Sequence, residues 1–356
     1  MVMKSAAAFA LAALTSQVSA AGTGYDFAEN GADWPSKFPD CGLTNQSPID
    51  LKTDENAYKT YDFQDDSFNK IYTNQVQKSG EPAGITIEWK NGQTTQVAVN
   101  RAGQTTQTFH SKLAESVFGA NPRYTGVQFH FHAGSEHTVD GVRHDLEMHT
   151  VHLAEETKGG FGYAAMGLIF SVQDYDRSVS ADVVEKIDNF FDSMSWNAEN
   201  PNQANPVVAS VPYGDLMMAV DMHNRWVYKG SVTTPPCAQS VYWNVLRTIY
   251  PIKSRHLHQF RQQLTRGEKD LAKTGNWREI QNEDDHNVIV VTTERGNGAV
   301  VLFGIILVVL SAIAVVIVAV IYMSIYDREK KNDPQQAYEL GTARSSARDV
   351  KSNAIN

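Results

Sequence analysis

The segment Gln128-Phe129-His130-Phe131-His132 sets two imidazoles two positions apart. In a strand, residues at that spacing share one face. His130 and His132 then point together, while Phe129 and Phe131 point to the opposite side and supply packing. A second segment, Glu147-Met148-His149-Thr150-Val151-His152, follows a polar connection over residues 133–145. Returned as the antiparallel neighbour, it sets His149 across from the first pair. Three imidazoles on adjacent strands fit a catalytic zinc site, which keeps three protein ligands and leaves the fourth position to water. Gln128 and Glu147 each precede a candidate ligand by two residues on the same face. A polar side chain there accepts the second ring N–H of a ligand and fixes its tautomer. A His-x-His pair alone reads equally well as an ordinary half-buried pair; His149, Gln128 and Glu147 in register turn the reading toward metal.

Elements able to hold such a site are legible around it. Alternating runs at 84–89, 94–100, 127–132, 146–153, 164–172 and 288–292 predict strands separated by Gly, Asn and Asp turns. Residues 181–194 and 255–264 carry helical periodicity. The class is β-rich α+β.

The two ends depart from this pattern. Met1-Val2-Met3-Lys4, an apolar run from Ala6, and Val18-Ser19-Ala20 read as a signal peptide over 1–20, against the alternative of a buried N-terminal helix. Residues 299–326 hold 28 positions without a charge. At ~1.5 Å per residue that run exceeds the ~30 Å hydrocarbon core and predicts a transmembrane helix. Tyr322 and Tyr326 sit at its far end, ahead of the basic residues Arg328, Lys330 and Lys331. These segments predict a single-pass type I protein with a lipid bilayer partner through 299–326. A domain over 21–293 then lies outside the cell or in a lumen, most simply at the cell surface, with a short stalk at 294–298 and a cytoplasmic tail at 327–356. The whole chain of 356 residues carries −9; the tail nets +1 and Lys4 belongs to the leader, which leaves −11 outside. That charge argues against nucleic acid and anionic lipid headgroups as partners of the domain. The two cysteines, Cys41 and Cys237, are either one disulfide or two unrelated thiols, and an oxidising compartment favours the disulfide.

Several motifs in order extend the reading. Gln128–His132, Ser135-Glu136-His137-Thr138-Val139-Asp140, Glu147–His152 and Gly230-Ser231-Val232-Thr233-Thr234-Pro235-Pro236 closely resemble the α-class carbonic anhydrases. Gln46-Ser47-Pro48-Ile49-Asp50 and Asn276-Trp277-Arg278 match the same pattern, so the resemblance runs from about residue 25 to 293. It implies a central, mostly antiparallel twisted sheet and a cleft holding Zn2+. It also implies reversible hydration of CO2 to bicarbonate and a proton, with His130, His132 and His149 as metal ligands. Gln128, Glu147 and Asn276 would support those ligands from behind. Thr233 would donate its hydroxyl to Glu136 and orient the attacking oxygen through the remaining lone pair. Cys41 and Cys237 fall where secreted members carry a disulfide.

The resemblance places Val151, Ala165, Val232, Thr234, Val241 and Trp243 along the substrate pocket. Ala133, Ala165 and Val232 stand where larger side chains are frequent, which implies a wider apolar wall. Gln93, in Asn91-Gly92-Gln93, stands where the family often has a proton-relaying histidine, and Gln does not titrate. His137 and His152 read as structural; His110, His144, His223, His256, His258 and His286 read as surface residues. The competing function is an adhesion or recognition module on the same fold. Relatives of that kind typically lack one or more ligand histidines, and all three are present here.

Overall fold

Alternation of apolar and polar side chains builds the first part of the chain around one large sheet. The computed structural model describes residues 24–54, 56–74, 85–86, 88–90, 94–99, 107–196, 207–266, 271–293, 298–331 and 338. The chain divides into two units, Met1–Thr293 and Glu294–Asn356. The expected leader at 1–20, Gln93, and most of the stalk and tail lie outside the described residues.

The strands of the large sheet in the first unit are β1 (Lys59–Asp62), β2 (Asn69–Ile71), β3 (Glu88–Lys90), β4 (Thr94–Ala98), β5 (Thr108–His110) and β6 (Arg123–His132). They continue as β7 (Leu146–Lys158), β8 (Phe161–Ser171), β9 (Arg225–Gly230), β10 (Val241–Leu246), β11 (Tyr250–Pro251) and β12 (Ile289–Thr292). All join one sheet in the order β1-β12-β9-β10-β8-β7-β6-β4-β3, with β11 beside β8 and β2 joined through β5 to β6. The sheet is mixed rather than antiparallel throughout, because β8–β10, β8–β11 and β12–β1 pair in parallel. Parallel neighbours need long crossovers, and the connection from β8 to β10 supplies one that carries helices α1 (Ala181–Ser193) and α2 (Tyr213–Ala219). Sequence periodicity missed β9 and β10. Every residue of β10 and all but one of β9 are buried, and Arg225, Lys229 and Asn244 interrupt the apolar runs that marked the equally buried β12.

Helix α1 opens on Ser180, whose hydroxyl accepts from the Val183 amide as an N-cap. Phe190 and Phe191 of α1, and Phe260 of α3 (Ser254–Gln263), are buried in the same cluster as Phe129 and Phe131. Ring centroids lie 5.4 Å apart for Phe129–Phe190 and 5.7 Å for Phe131–Phe260. The two phenylalanines of the histidine strand therefore pack as expected, on the side away from the imidazoles.

The connection between β6 and β7 is more than a hairpin turn. Within it, Thr138–Val139 pairs in parallel with Asp50–Leu51 and antiparallel with Val142–Arg143. Asp140 and Gly141 both take positive φ, 49° and 79°, as a tight turn of the primed type requires. Cys41 and Cys237 are disulfide-bonded across 196 residues.

In the second unit, one helix, α4, runs Gly298–Lys331. Within its segment Ile306–Glu329 an 18-residue window has a mean hydropathy of 3.1 and none of it is buried; this is the one helix among the described residues long and apolar enough to cross a membrane.

Candidate metal centre

Register decides where the histidines meet. β6 and β7 pair antiparallel with His149 directly opposite His130 and Glu147 opposite His132. Directly opposed residues share a face, so the three rings converge. The centroids are 5.0 Å apart for His130–His132, 5.3 Å for His130–His149 and 4.6 Å for His132–His149. One nitrogen from each ring falls within 4.8 Å of the other two.

The second nitrogen of each ring is held from behind. His130 Nδ1 is hydrogen-bonded to Gln128 Oε1 at 2.9 Å, His132 Nδ1 donates to the Asn276 carbonyl at 2.7 Å, and His149 Nε2 to Glu147 Oε1 at 2.8 Å. A proton on each bonded nitrogen leaves a lone pair on His130 Nε2, His132 Nε2 and His149 Nδ1. His132 Nε2 is buried without any hydrogen-bond partner. Burying such a group unpaired is costly, and a metal ion removes the cost. Three lone pairs aimed at one volume suit Zn2+, and the residues present fit it.

The electrostatics agree with that division of labour. Burial, then the neighbouring His132 and His149 rings, push His130 well below the usual histidine range. His149 is also penalised by burial, but the Glu147 charge and hydrogen bond outweigh it and raise this ring. Burial favours a neutral Glu147, yet His137 and His149 hold the carboxyl well below its ordinary value. Glu147 is the hub here: Oε1 also accepts from His137 Nδ1, and Oε2 from the His137 amide, each at 2.8 Å. The carboxylate fits because the residue opposite His149 on β8 is Gly167, where a Cβ would stand 2.7 Å from Oε1. His137 continues through the Tyr228 hydroxyl at 2.7 Å, which bonds Ser47 Oγ at 2.9 Å.

Asn276 clips the end of β6. Its amide donates to the Ala133 carbonyl, its side chain bonds the Ala133 amide and the Phe131 carbonyl, and its own carbonyl takes His132. The sequence pointed to Asn276, but only the fold reveals that the backbone carbonyl meets the ligand.

Glu136 and Thr233 are both buried. Glu136 Oε1 accepts from the Arg278 amide at 2.9 Å. Oε2 makes no hydrogen bond and lies 3.5 Å from His132 Nε2 and 3.8 Å from His149 Nδ1. Beside them, Val151, Ala165 and Trp243 stand in one row across β7, β8 and β10. Ala165, Val241 and Trp243 belong to an apolar cluster against which Val232 packs, and Trp243 meets His149 edge-on at 4.8 Å. Thr234 is hydrogen-bonded to the Tyr25 side chain. The strand that follows Gln93 brings Gln96 opposite His130.

Two histidines expected at the surface are buried instead. His256 packs flat on Phe191 with Nε2 2.7 Å from Asp188, and His144 is nearly enclosed. Asp188, Asp192 and His256 form another group of possible ligands, but Lys253 and Arg255 already pair the two carboxylates. Tyr228 was not singled out from the sequence, and Arg278 only as part of the motif Asn276-Trp277-Arg278. Partners that lie 91 to 237 residues away leave no local signal.

The chain matches the family model of the eukaryotic-type carbonic anhydrases over residues 29–292 and belongs to that family. Carbonic anhydrase 6 of Canis lupus familiaris is 28% identical over 243 residues, 63% of this chain and 67% of that protein. Carbonic anhydrase 6 of Mus musculus is 27% identical over 234 residues, 61% of this chain and 64% of that protein. Carbonic anhydrase 1 of Monodelphis domestica is 28% identical over 260 residues, 69% of this chain and 88% of that protein. The chain thus spans about two thirds of the length of the first two relatives.

Proposed function

We propose that this chain is a zinc-dependent carbonic anhydrase that hydrates CO2 reversibly, anchored by α4 with its family domain outside the cell or in a lumen. The observation that carries the reading is the set of three rings, each held from behind through one nitrogen so that the other three face one another within 4.8 Å. His130, His132 and His149 would hold Zn2+ through the nitrogens that are not bonded from behind. Bound zinc supplies hydroxide near neutral pH by acidifying water, an effect for which carbonic anhydrases are the standing example.

The remaining steps belong to side chains. Val151, Ala165, Val232, Val241 and Trp243 offer CO2 an apolar wall, with Thr234 at its polar edge. Glu136 Oε2, which makes no hydrogen bond, would accept one from the Thr233 hydroxyl. The Thr233 oxygen then accepts from the attacking oxygen and turns that oxygen's lone pair toward carbon. Gln128, Glu147 and the Asn276 carbonyl keep the ligand tautomers fixed throughout. The leader at 1–20 and the uncharged run of α4 support a type I topology, with the basic cluster at 328–331 in the cytosol. CO2, bicarbonate and the bilayer are the partners this reading requires.

The test is zinc analysis and CO2 hydration by the purified full chain, beside His132→Ala. Near-stoichiometric zinc and hydration are expected, both lost in the variant while the Cys41–Cys237 domain stays folded. Zinc without hydration would leave the recognition-module reading standing.

A further inference from the structure

Glu136 is completely enclosed, and among the described residues its carboxylate accepts one hydrogen bond, from the Arg278 amide. Where that amide sits decides where the carboxylate points. Arg278 is itself 1% exposed, and its two terminal nitrogens donate to residues 41–47, early in the chain. Its guanidinium donates to the Cys41 carbonyl at 2.7 Å, the Ser47 carbonyl at 2.8 Å and Gln46 Oε1 at 2.9 Å. Gln46 in turn donates through Nε2 to the Cys237 carbonyl at 3.2 Å. The two half-cystines are therefore joined twice: once by the disulfide, and once through Arg278 and Gln46. Cys237 closes the arrangement on its other side by donating its amide to the Thr234 carbonyl, next to Thr233.

We propose that Arg278 is a positioning residue that couples the Cys41–Cys237 disulfide to the Glu136 carboxylate. The coupling rests on the reading of Glu136 as part of the catalytic machinery. A planar fork of fixed donors suits this task, because it pins one backbone segment against several carbonyls at once. With the disulfide intact, the Cys41 and Cys237 carbonyls stay at the spacing the fork and Gln46 require. Without it, the N-terminal segment and the 231–238 turn separate, the fork loses two anchors, and the Arg278 amide drifts from Glu136.

Site-resolved amide hydrogen exchange of the zinc-loaded full chain in detergent tests this directly. Replacing both cysteines, by Cys41→Ser with Cys237→Ser, should speed exchange at the Arg278 amide by about tenfold, the size of one buried hydrogen bond. The β6 amides should be unmoved. Arg278→Lys keeps the charge but not the fork, and should do the same with the disulfide intact. Glu136→Ala removes the acceptor, and in that background the cysteine changes should add nothing. Turnover per bound zinc should fall alongside in the first two variants. An Arg278 amide that exchanges at the wild-type rate in Arg278→Lys, or cysteine changes that act equally with and without Glu136, would overturn the coupling. Should the cysteine variant not fold, mild reduction of the folded chain takes its place. A zinc-loaded wild type that hydrates no CO2 would sink the enzymatic reading alone, since the exchange arm does not depend on turnover.

Discussion

Strand β7 carries two histidines three residues apart, and the two faces of the sheet make them different groups. His149 points to the face shared with His130 and His132, where Glu147 raises it above its ordinary value. His152 points to the core face, where burial pushes it down to about 3. There its Nε2 meets the Tyr72 hydroxyl at 2.8 Å, and Phe109 packs edge-on against the ring at 4.9 Å. Neither face is less buried than the other: His149 is 1% exposed and His152 is 0%. What separates them is a carboxylate. In the proposed reading the buried charge two residues before His149 orients and raises that ring for a metal, while its counterpart stays a neutral packing group. Burial alone does not make an imidazole chemical; the partner behind the ring does.

The sharpest way to break the comparison is to remove that charge. Glu147→Gln keeps the shape but offers an NH2 where Glu147 now accepts from the His137 and His149 rings and the His137 amide. At least one donor must then face another donor. Zinc affinity should drop by about 10–100-fold, the usual effect of losing a partner behind a ligand, with far-ultraviolet circular dichroism unchanged. Competition against a fluorescent chelator measures it. Affinity equal to wild type would mean that the carboxylate is not what distinguishes His149.

The core face predicts a different phenotype. In the unfolded chain His152 titrates near ~6.5, whereas folded it stays neutral down to about 3. Above the higher value both states hold the same proton count, so His152 adds no pH dependence. As pH falls below it, the unfolded chain binds a proton that the folded chain refuses. Stability then falls by about 1.4 kcal/mol per pH unit, and between pH 7 and 5 by about 2 kcal/mol. His152→Gln should lose that share of the acid sensitivity, read by chemical denaturation of the detergent-solubilised chain at both pH values. Zinc per folded molecule should not change. Parallel acid losses in the two proteins would show that His152 is not the group responsible.

Legibility in the sequence followed the same division. The ligand face was readable because strand period and local spacing place His130, His132, Gln128 and Glu147 without any tertiary information. The apolar partners Phe129 and Phe131 followed from the same period. β9 and β10 were invisible because both are covered on both faces and, unlike the unbroken apolar run of β12, carry Arg225, Lys229 and Asn244 among their apolar residues, so neither alternation nor an apolar run marks them. The loop side of the site was legible only as motif resemblance. Glu136 meets Arg278, and His132 meets the Asn276 carbonyl, across sequence separations of 142 and 144. Backbone acceptors also carry no residue-type signal, so no pattern in the chain announces them. His256 misled for a related reason: its neighbours Arg255, His258 and Lys253 are charged or polar, yet its own helical position faces Phe191.

The smallest expected effect concerns a histidine that the metal face lacks. The core face holds a histidine that burial keeps neutral across the physiological range, and the position implied for proton relay holds Gln93, which does not titrate at all. In the proposed reaction hydration produces a proton at the site, and that proton must reach solution before the next turnover. A group whose pKa lies near the working pH speeds such a transfer, and an unperturbed histidine qualifies. Neither His152 nor Gln93 does, for opposite reasons: one is titratable but sealed, the other carries no titratable proton. Small buffer molecules are then the carriers, so turnover should climb with imidazole-type buffer and level off when relay ceases to limit. Gln93→His should raise turnover severalfold at low buffer and leave it unchanged at high buffer, with kcat/KM for CO2 nearly constant throughout. Zinc content should be identical in the two proteins. Turnover that is already high in dilute buffer, and indifferent to its concentration, would assign the relay to another residue and remove Gln93 from the account.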